Sequence, residues 1–210
     1  MSERSSLVEG PDGLLRCAWG VAATDYVAYH DEEWGRPVVD DDGLFERLCL
    51  EAFQSGLSWL TILRRREGFR AAFSGFRIAA VAAFDDRDVE RLLADEGIIR
   101  NRAKIEATLA NAGAAAALTA EGSSLSELLW SFAPAERAAP RTFADVPATT
   151  PESTALAREL KRRGFRFVGP TTAYAAMQAC GLVNDHLEGC AVRAAVEEER
   201  AGARPARTTG

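Results

Sequence analysis

Apolar residues recur at spacings of three and four along most of the 210-residue chain, which is the pattern of helices that bury one face. After the acidic start Asp40-Asp41-Asp42, the positions Leu44, Phe45, Leu48, Cys49, Ala52 and Phe53 line one such face. Val89, Leu92 and Leu93 predict a short helix from about Asp86 to Asp95, closed near Gly97. A helix from about Asn101 to Leu118 follows, with Ile105, Leu109 and a run of alanines that favours helix and close packing. Leu125, Leu128, Leu129 and Phe132 predict another. Thr150-Pro151-Glu152 has a capping residue followed by proline at the first helical position, and the helix it opens carries Leu156 and Leu160 inward to Gly164. Strand alternation nowhere exceeds a few residues, Phe165–Val168 being the best short candidate. The expected class is all-α, with a flexible lead over 1–13, a single domain over 14–192 and a partly disordered tail over 193–210. Pro134–Pro151 is the softest internal connection.

Composition adds limits to that picture. Hydrophobic residues make up 47% and charged residues 27%, an ordinary globular balance that excludes a disordered or collagen-like chain. No apolar run approaches the ~20 residues of a spanning helix, so the expectation is a cytoplasmic protein with no membrane partner. The net charge of -6 excludes a uniformly basic nucleic-acid binder, but not one with a local basic face. Positive charge is concentrated at Arg64–Arg77 and Arg158–Arg166 and is almost all arginine, whose fork of donors suits phosphate.

Candidate chemistry lies in three places. Cys17 and His30 near one end, and His186 and Cys190 near the other, have spacings found in tetrahedral zinc sites, where four protein ligands leave no open position for catalysis. Buried cysteines with core histidines, or Cys/His acyl-transfer chemistry, are the alternatives. Tyr26, Tyr29, Trp34 and Trp59 crowd the region that also holds Glu51 and Gln54. Glu51 shares a helix face with Leu44, Leu48 and Ser55, a costly place for a carboxylate unless it is paired or used. An aromatic pocket with one carboxylate would suit a planar cationic heteroaromatic ligand; an exposed glutamate beside core tryptophans is the other reading. Val89–Ala107 reads as helix, tight turn at Glu96-Gly97-Ile98 and second helix. Gly97 and the free N–H groups of the second helix could approach phosphate, with Arg100, Arg102 and Lys104 beside them. Gly56-Leu57 interrupts the helical pattern and could present a leucine wedge to a base stack, or close a helical corner.

Taken together, RCAWG at Arg16–Gly20, YVAYHDEEWG at Tyr26–Gly35, QSGLSW at Gln54–Trp59, GIIRNRAKI at Gly97–Ile105, LLWSF at Leu128–Phe132 and the long run Lys161–His186 closely resemble the DNA-3-methyladenine glycosylase I family of the helix-hairpin-helix superfamily. The resemblance covers roughly residues 16–190, and YHDEEWG and QACGLVNDH are its most specific parts. It implies one structural Zn2+ per chain on Cys17, His30, His186 and Cys190, clasping the two chain ends. It also implies a base pocket of Tyr29, Trp34, Glu51 and Trp59, with Glu51 carrying the catalytic electrostatics, and a wedge at Gly56 and Leu57. Gln54 falls beside the pocket without a defined role. The implied hairpin contacts to the DNA backbone are Gly97, Arg100, Arg102 and Lys104. The implied activity is monofunctional base excision of 3-methyladenine from alkylated double-stranded DNA, by a monomer. Ala18 and Pro170 are mild departures from the family pattern, and neither falls on a matched pocket position.

Overall fold

Each expected helix starts where the chain supplies its own cap. In the computed structural model, which describes residues 6–135 and 137–203, Asp40 accepts the Gly43 N–H and opens α2 (Asp41–Gln54) after α1 (Thr24–Glu32). Asp85, Asn101, Ser124 and Thr150 accept backbone N–H groups in the same way. α3 (Trp59–Leu63), α4 (Arg66–Ala72) and α5 (Ile78–Ala82) follow α2, and then α6 (Asp86–Ala94), α7 (Arg102–Ala120), α8 (Leu125–Ser131) and α9 (Pro151–Arg162). α10 (Pro170–Ala179) and α11 (Arg193–Ala203) complete the series. Caps at this rate satisfy the N–H groups that a helix start leaves unpaired, at about 1 kcal/mol each.

Strand structure falls elsewhere than the alternation pattern suggested. Phe165–Val168 is not a strand: Val168 follows Phe167, whose φ of 55° is left-handed and breaks any extended run. Instead β1 (Leu7–Glu9) pairs antiparallel with β2 (Leu15–Cys17) across a turn at Gly13, whose φ is 76°. β1 lies inside the stretch expected as a lead, and α11 inside the stretch expected as a tail. Residues 1–5 and 204–210 of those stretches are outside the described residues. The hairpin shows no period-2 signal because three-residue strands are too short to carry one.

The described residues divide into two compact units. One is formed by the described residues up to 38, those of 133–148 and those from 177 onward, and it gathers the hairpin, α1, the end of α10 and α11. The other, 39–132 with 149–176, is helical. Its core is aromatic: Phe53 packs on Phe69 at 4.6 Å, Phe73 stacks on Phe76 at 5.4 Å, and all four are buried. α6 and α7 form the expected helical hairpin. Its turn is brought against α4 at Gly68, where a Cβ would stand 2.5 Å from the Gly97 carbonyl oxygen, so only glycine fits there. No helix among the described residues is long and apolar enough to cross a membrane.

Candidate functional site

Cys17, His30, His186 and Cys190 converge in the first unit, all buried, with their ligand atoms within 4.8 Å of one another. β2 ends on Cys17, α1 carries His30 in its last turn, and the loop after α10 delivers His186 and Cys190. Cys190 Sγ lies 3.6 Å from His30 Nε2 and 3.6 Å from His186 Nδ1. Four converging soft donors form a closed Cys2His2 set, which suits a structural metal ion.

The surroundings select the tautomers this set needs. Asp31 Oδ1 is 2.7 Å from His30 Nδ1, which places the proton there and leaves Nε2 facing inward. Asp31 is in turn gripped by the Arg16 guanidinium at 2.8–3.0 Å, and Arg16 also reaches Asp12. Burial pushes the Asp31 carboxyl up, but the hydrogen bonds from Arg16 and His30 outweigh it and hold the group below its ordinary range. His186 uses its other nitrogen, Nε2, to donate to the Trp34 carbonyl at 3.0 Å, so Nδ1 turns to the cluster. The Leu187 N–H points at Cys17 Sγ, 3.4 Å away. Hydrogen bonding with Cys17, and then with the two imidazoles, pulls the Cys190 thiol below its ordinary range against the opposing effect of burial, the direction that suits a metal-ligating sulfur.

Two glycines make room for this ring of donors. A Cβ at Gly20 would lie 2.5 Å from the His30 ring. At Gly35, with φ 81°, it would lie 3.2 Å from His186. The aromatic residues Trp19 and Trp34 pack edge-on against the two imidazoles, at 5.1 Å and 4.8 Å, and against each other at 4.9 Å. Tyr29 is buried beside Trp19. Of the aromatics expected to hold a base, Tyr29 and Trp34 therefore lie in this unit beside the cluster, whereas Trp59 belongs to the second.

The second unit holds the carboxylate. Glu51 is 7% exposed, in the last turns of α2, between Leu50 and Ala52, both buried. Burial pushes its pKa up to about 8, against the pull of the Arg47 charge one turn earlier. At neutral pH this carboxyl is largely protonated, and a cation placed against it would draw out the charged form. Gln54 ends the helix, Gly56 turns with φ 83°, and Leu57 stands 41% exposed before Ser58 caps α3, whose first residue is Trp59.

Lys104 departs from the expectation of a phosphate or surface contact. It is buried, and its ammonium donates to the carbonyls of Phe53 and Ser55 at 2.8 and 2.6 Å. It thereby closes the C-terminal end of α2, where carbonyls lack helical partners and a positive charge is favoured. Sequence spacing could not reveal this, because a lysine in the first turn of a helix usually faces water. The other hairpin residues are occupied as well. Gly97 N–H donates to Asp95 at 2.7 Å, Arg102 pairs with Glu90 at 2.6 Å and Glu106 at 3.5 Å, and Arg100 is 3.9 Å from Glu96. Asp31 and Arg16 were not foreseen as functional; their one signal is that Asp31 directly follows His30.

This mostly helical chain, with its helical hairpin and a buried Cys2His2 cluster near the termini that suits a structural metal, is of the helix-hairpin-helix class. A model of the methyladenine glycosylase family matches residues 19–194, and the chain belongs to that family. DNA-3-methyladenine glycosylase 1 of Escherichia coli (strain K12) is 48% identical over 179 residues, 84% of this chain and 96% of that protein. A crystal structure of 3-methyladenine DNA glycosylase I superposes with a TM-score of 0.81 at 48% identity, over 84% of this chain and 98% of the other. A second, from Staphylococcus aureus, was solved for the structural basis of 3-methyladenine recognition. It gives a TM-score of 0.79 at 35% identity, over 85% and 96% of the two chains.

Proposed function

We propose that this protein is a monofunctional DNA glycosylase that hydrolyses the N-glycosidic bond of 3-methyladenine in alkylated duplex DNA. The products are the free base and an abasic site, the first step of base excision repair. The observation that carries the reading is Glu51, a carboxyl buried on an apolar helix face with its pKa raised to about 8, in a chain of this family. Methylation at N3 makes the adenine cationic and a good leaving group, so no proton donor is required. The work is to flip the nucleotide out, stack it and select it. Glu51 ionises against the cationic base, losing its proton to solvent, and the ion pair so formed is one that neutral adenine cannot make. Tyr29, Trp34 and Trp59 supply the aromatic faces, and Gly56-Leu57 fills the gap left in the stack. Water attacks C1' of an oxocarbenium-like sugar. Lyase chemistry through Lys104 is disfavoured, since its amine is already bound to two carbonyls.

The metal of this reading is one Zn2+, held by Cys17, His30, His186 and Cys190, and it supplies rigidity and no step of the reaction. Cys190 Sγ stands 3.6 Å from a nitrogen of each imidazole, a spacing that would suit donors sharing one ion. The protein acts as a monomer in the cytoplasm, on nucleoid DNA. Chromatography of bases released from methylated duplex DNA tests the activity. Free 3-methyladenine without 7-methylguanine is expected, and no release from folded, zinc-loaded protein overturns the reading.

A further inference from the structure

One face of α7 fixes two loops, and only one of them has a task so far. Lys104, Thr108 and Asn111 are buried polar residues at helical spacing on that face. Lys104 holds the carbonyls just before Gly56-Leu57. Asn111, about 10 Å further along the helix, holds residue 166 by both of its backbone groups. Its Oδ1 accepts the Arg166 N–H at 2.7 Å, and its Nδ2 donates to the Arg166 carbonyl at 3.2 Å. A buried amide spent wholly on the backbone of a surface loop sets the position of that loop.

The loop so held presents Phe167. Its φ is 55°, a left-handed conformation that a bulky side chain rarely takes. Phe76 is also left-handed, but it is fully buried in the phenylalanine core, which offsets the strain. Phe167 is 42% exposed, comparable with Leu57 at 41%, so burial does not account for it. Strain kept without a packing return belongs with function. The stretch Lys161–Gly169 contains four basic residues and no acid, in a chain of net charge -6. Arg162 and Arg163 pair with Glu159, whereas Lys161 and Arg166 form no ion pair among the described residues.

We infer that the loop 164–169 is a second DNA-contacting element, in which Phe167 lies against an exposed base or sugar and Arg166 meets a backbone phosphate. The inference rests on the glycosylase reading and names a further part of its substrate surface. An aromatic face and a phosphate-binding arginine on one rigid loop are the chemistry by which proteins grip a locally opened strand.

The test uses the full chain with Phe167→Gly, Arg166→Ala and, as a control at an exposed aromatic elsewhere, Phe143→Ala. The readouts are affinity for a duplex with a single tetrahydrofuran abasic site, affinity for free 3-methyladenine, base release and melting temperature. Phe167→Gly is expected to weaken duplex binding and kcat/KM at least 5-fold, with binding of the free base unchanged. Its melting temperature should equal or exceed that of the parent, because glycine accepts a positive φ without strain. Arg166→Ala should lower the slope of log affinity on log salt by about one. Phe143→Ala should change nothing. Duplex binding and release within 2-fold of the parent for both loop variants, by a protein that does release 3-methyladenine, would overturn the loop assignment and leave the glycosylase reading intact. If the parent releases no base but binds the duplex with the same dependence on Phe167, the glycosylase reading fails and the loop stands as a DNA contact.

Discussion

The two compact units are stabilised by different chemistry. All the buried phenylalanines lie in the second, where Phe45, Phe53, Phe69, Phe73 and Phe76 fill the space between short helices. The first has none; its centre is a ring of two thiols and two imidazoles, with Cys17, Cys190 and Leu187 forming its own small cluster. Burial of aromatic area is non-directional and tolerates repacking. A ligand set is directional and fails when one donor is lost. Each unit should therefore break in its own way.

The largest effect is expected at the clasp. His186→Ala, or a strong chelator on the parent, should lower the melting temperature by more than about 10 °C, since structural zinc binding is worth about 10 kcal/mol in small domains. Emission from Trp19 and Trp34, which pack against the imidazoles, should change with it. Chelation with no effect on either quantity would remove the distinction between the units. Phe53→Ala, in the aromatic core, should cost about 3–5 kcal/mol in denaturant titration. The size of that loss should be the same with or without added zinc.

Glu51 gives a sharper contrast, because one substitution should move stability and activity in opposite directions. A carboxyl raised to about 8 in the folded protein contributes least penalty below its unfolded value near 4.5, where both states are protonated. Stability is then lost as the pH rises toward 8, because only the unfolded state gains by ionising. Glu51→Gln should consequently match the parent at pH 4.5 and exceed it by about 5 °C or more at pH 9. Its base release should fall about 100-fold. The smallest effect is expected one bond out from the metal. Asp31→Asn keeps a hydrogen-bonding partner for His30 Nδ1 but removes the charge, and should weaken zinc affinity about 10-fold in competition with a chelator.

Helix starts were readable from local chemistry: Asp40, Asn101 and Thr150 each stand immediately before the helix they cap. The four ligands were readable as a set only through their motifs, because Cys17 and Cys190 are separated by most of the chain and spacing says nothing at that range. Lys104 was misjudged because its partners, the Phe53 and Ser55 carbonyls, come from another helix about 50 residues away. The short β1–β2 pair was invisible because its register depends on the turn at Gly13 and not on a hydrophobic alternation.

By itself the amino-acid sequence determined the helical class, the caps and the lone carboxylate among apolar neighbours, because these depend on residue type and on neighbours within a turn or two. Only the tertiary structure decided that Asp31 and Trp34 select the histidine tautomers, that Glu51 is buried enough to hold its proton, and that one face of α7 pins both exposed loops. These are properties of groups brought together from distant parts of the chain, where dielectric, desolvation and hydrogen-bond direction exist only once the packing does.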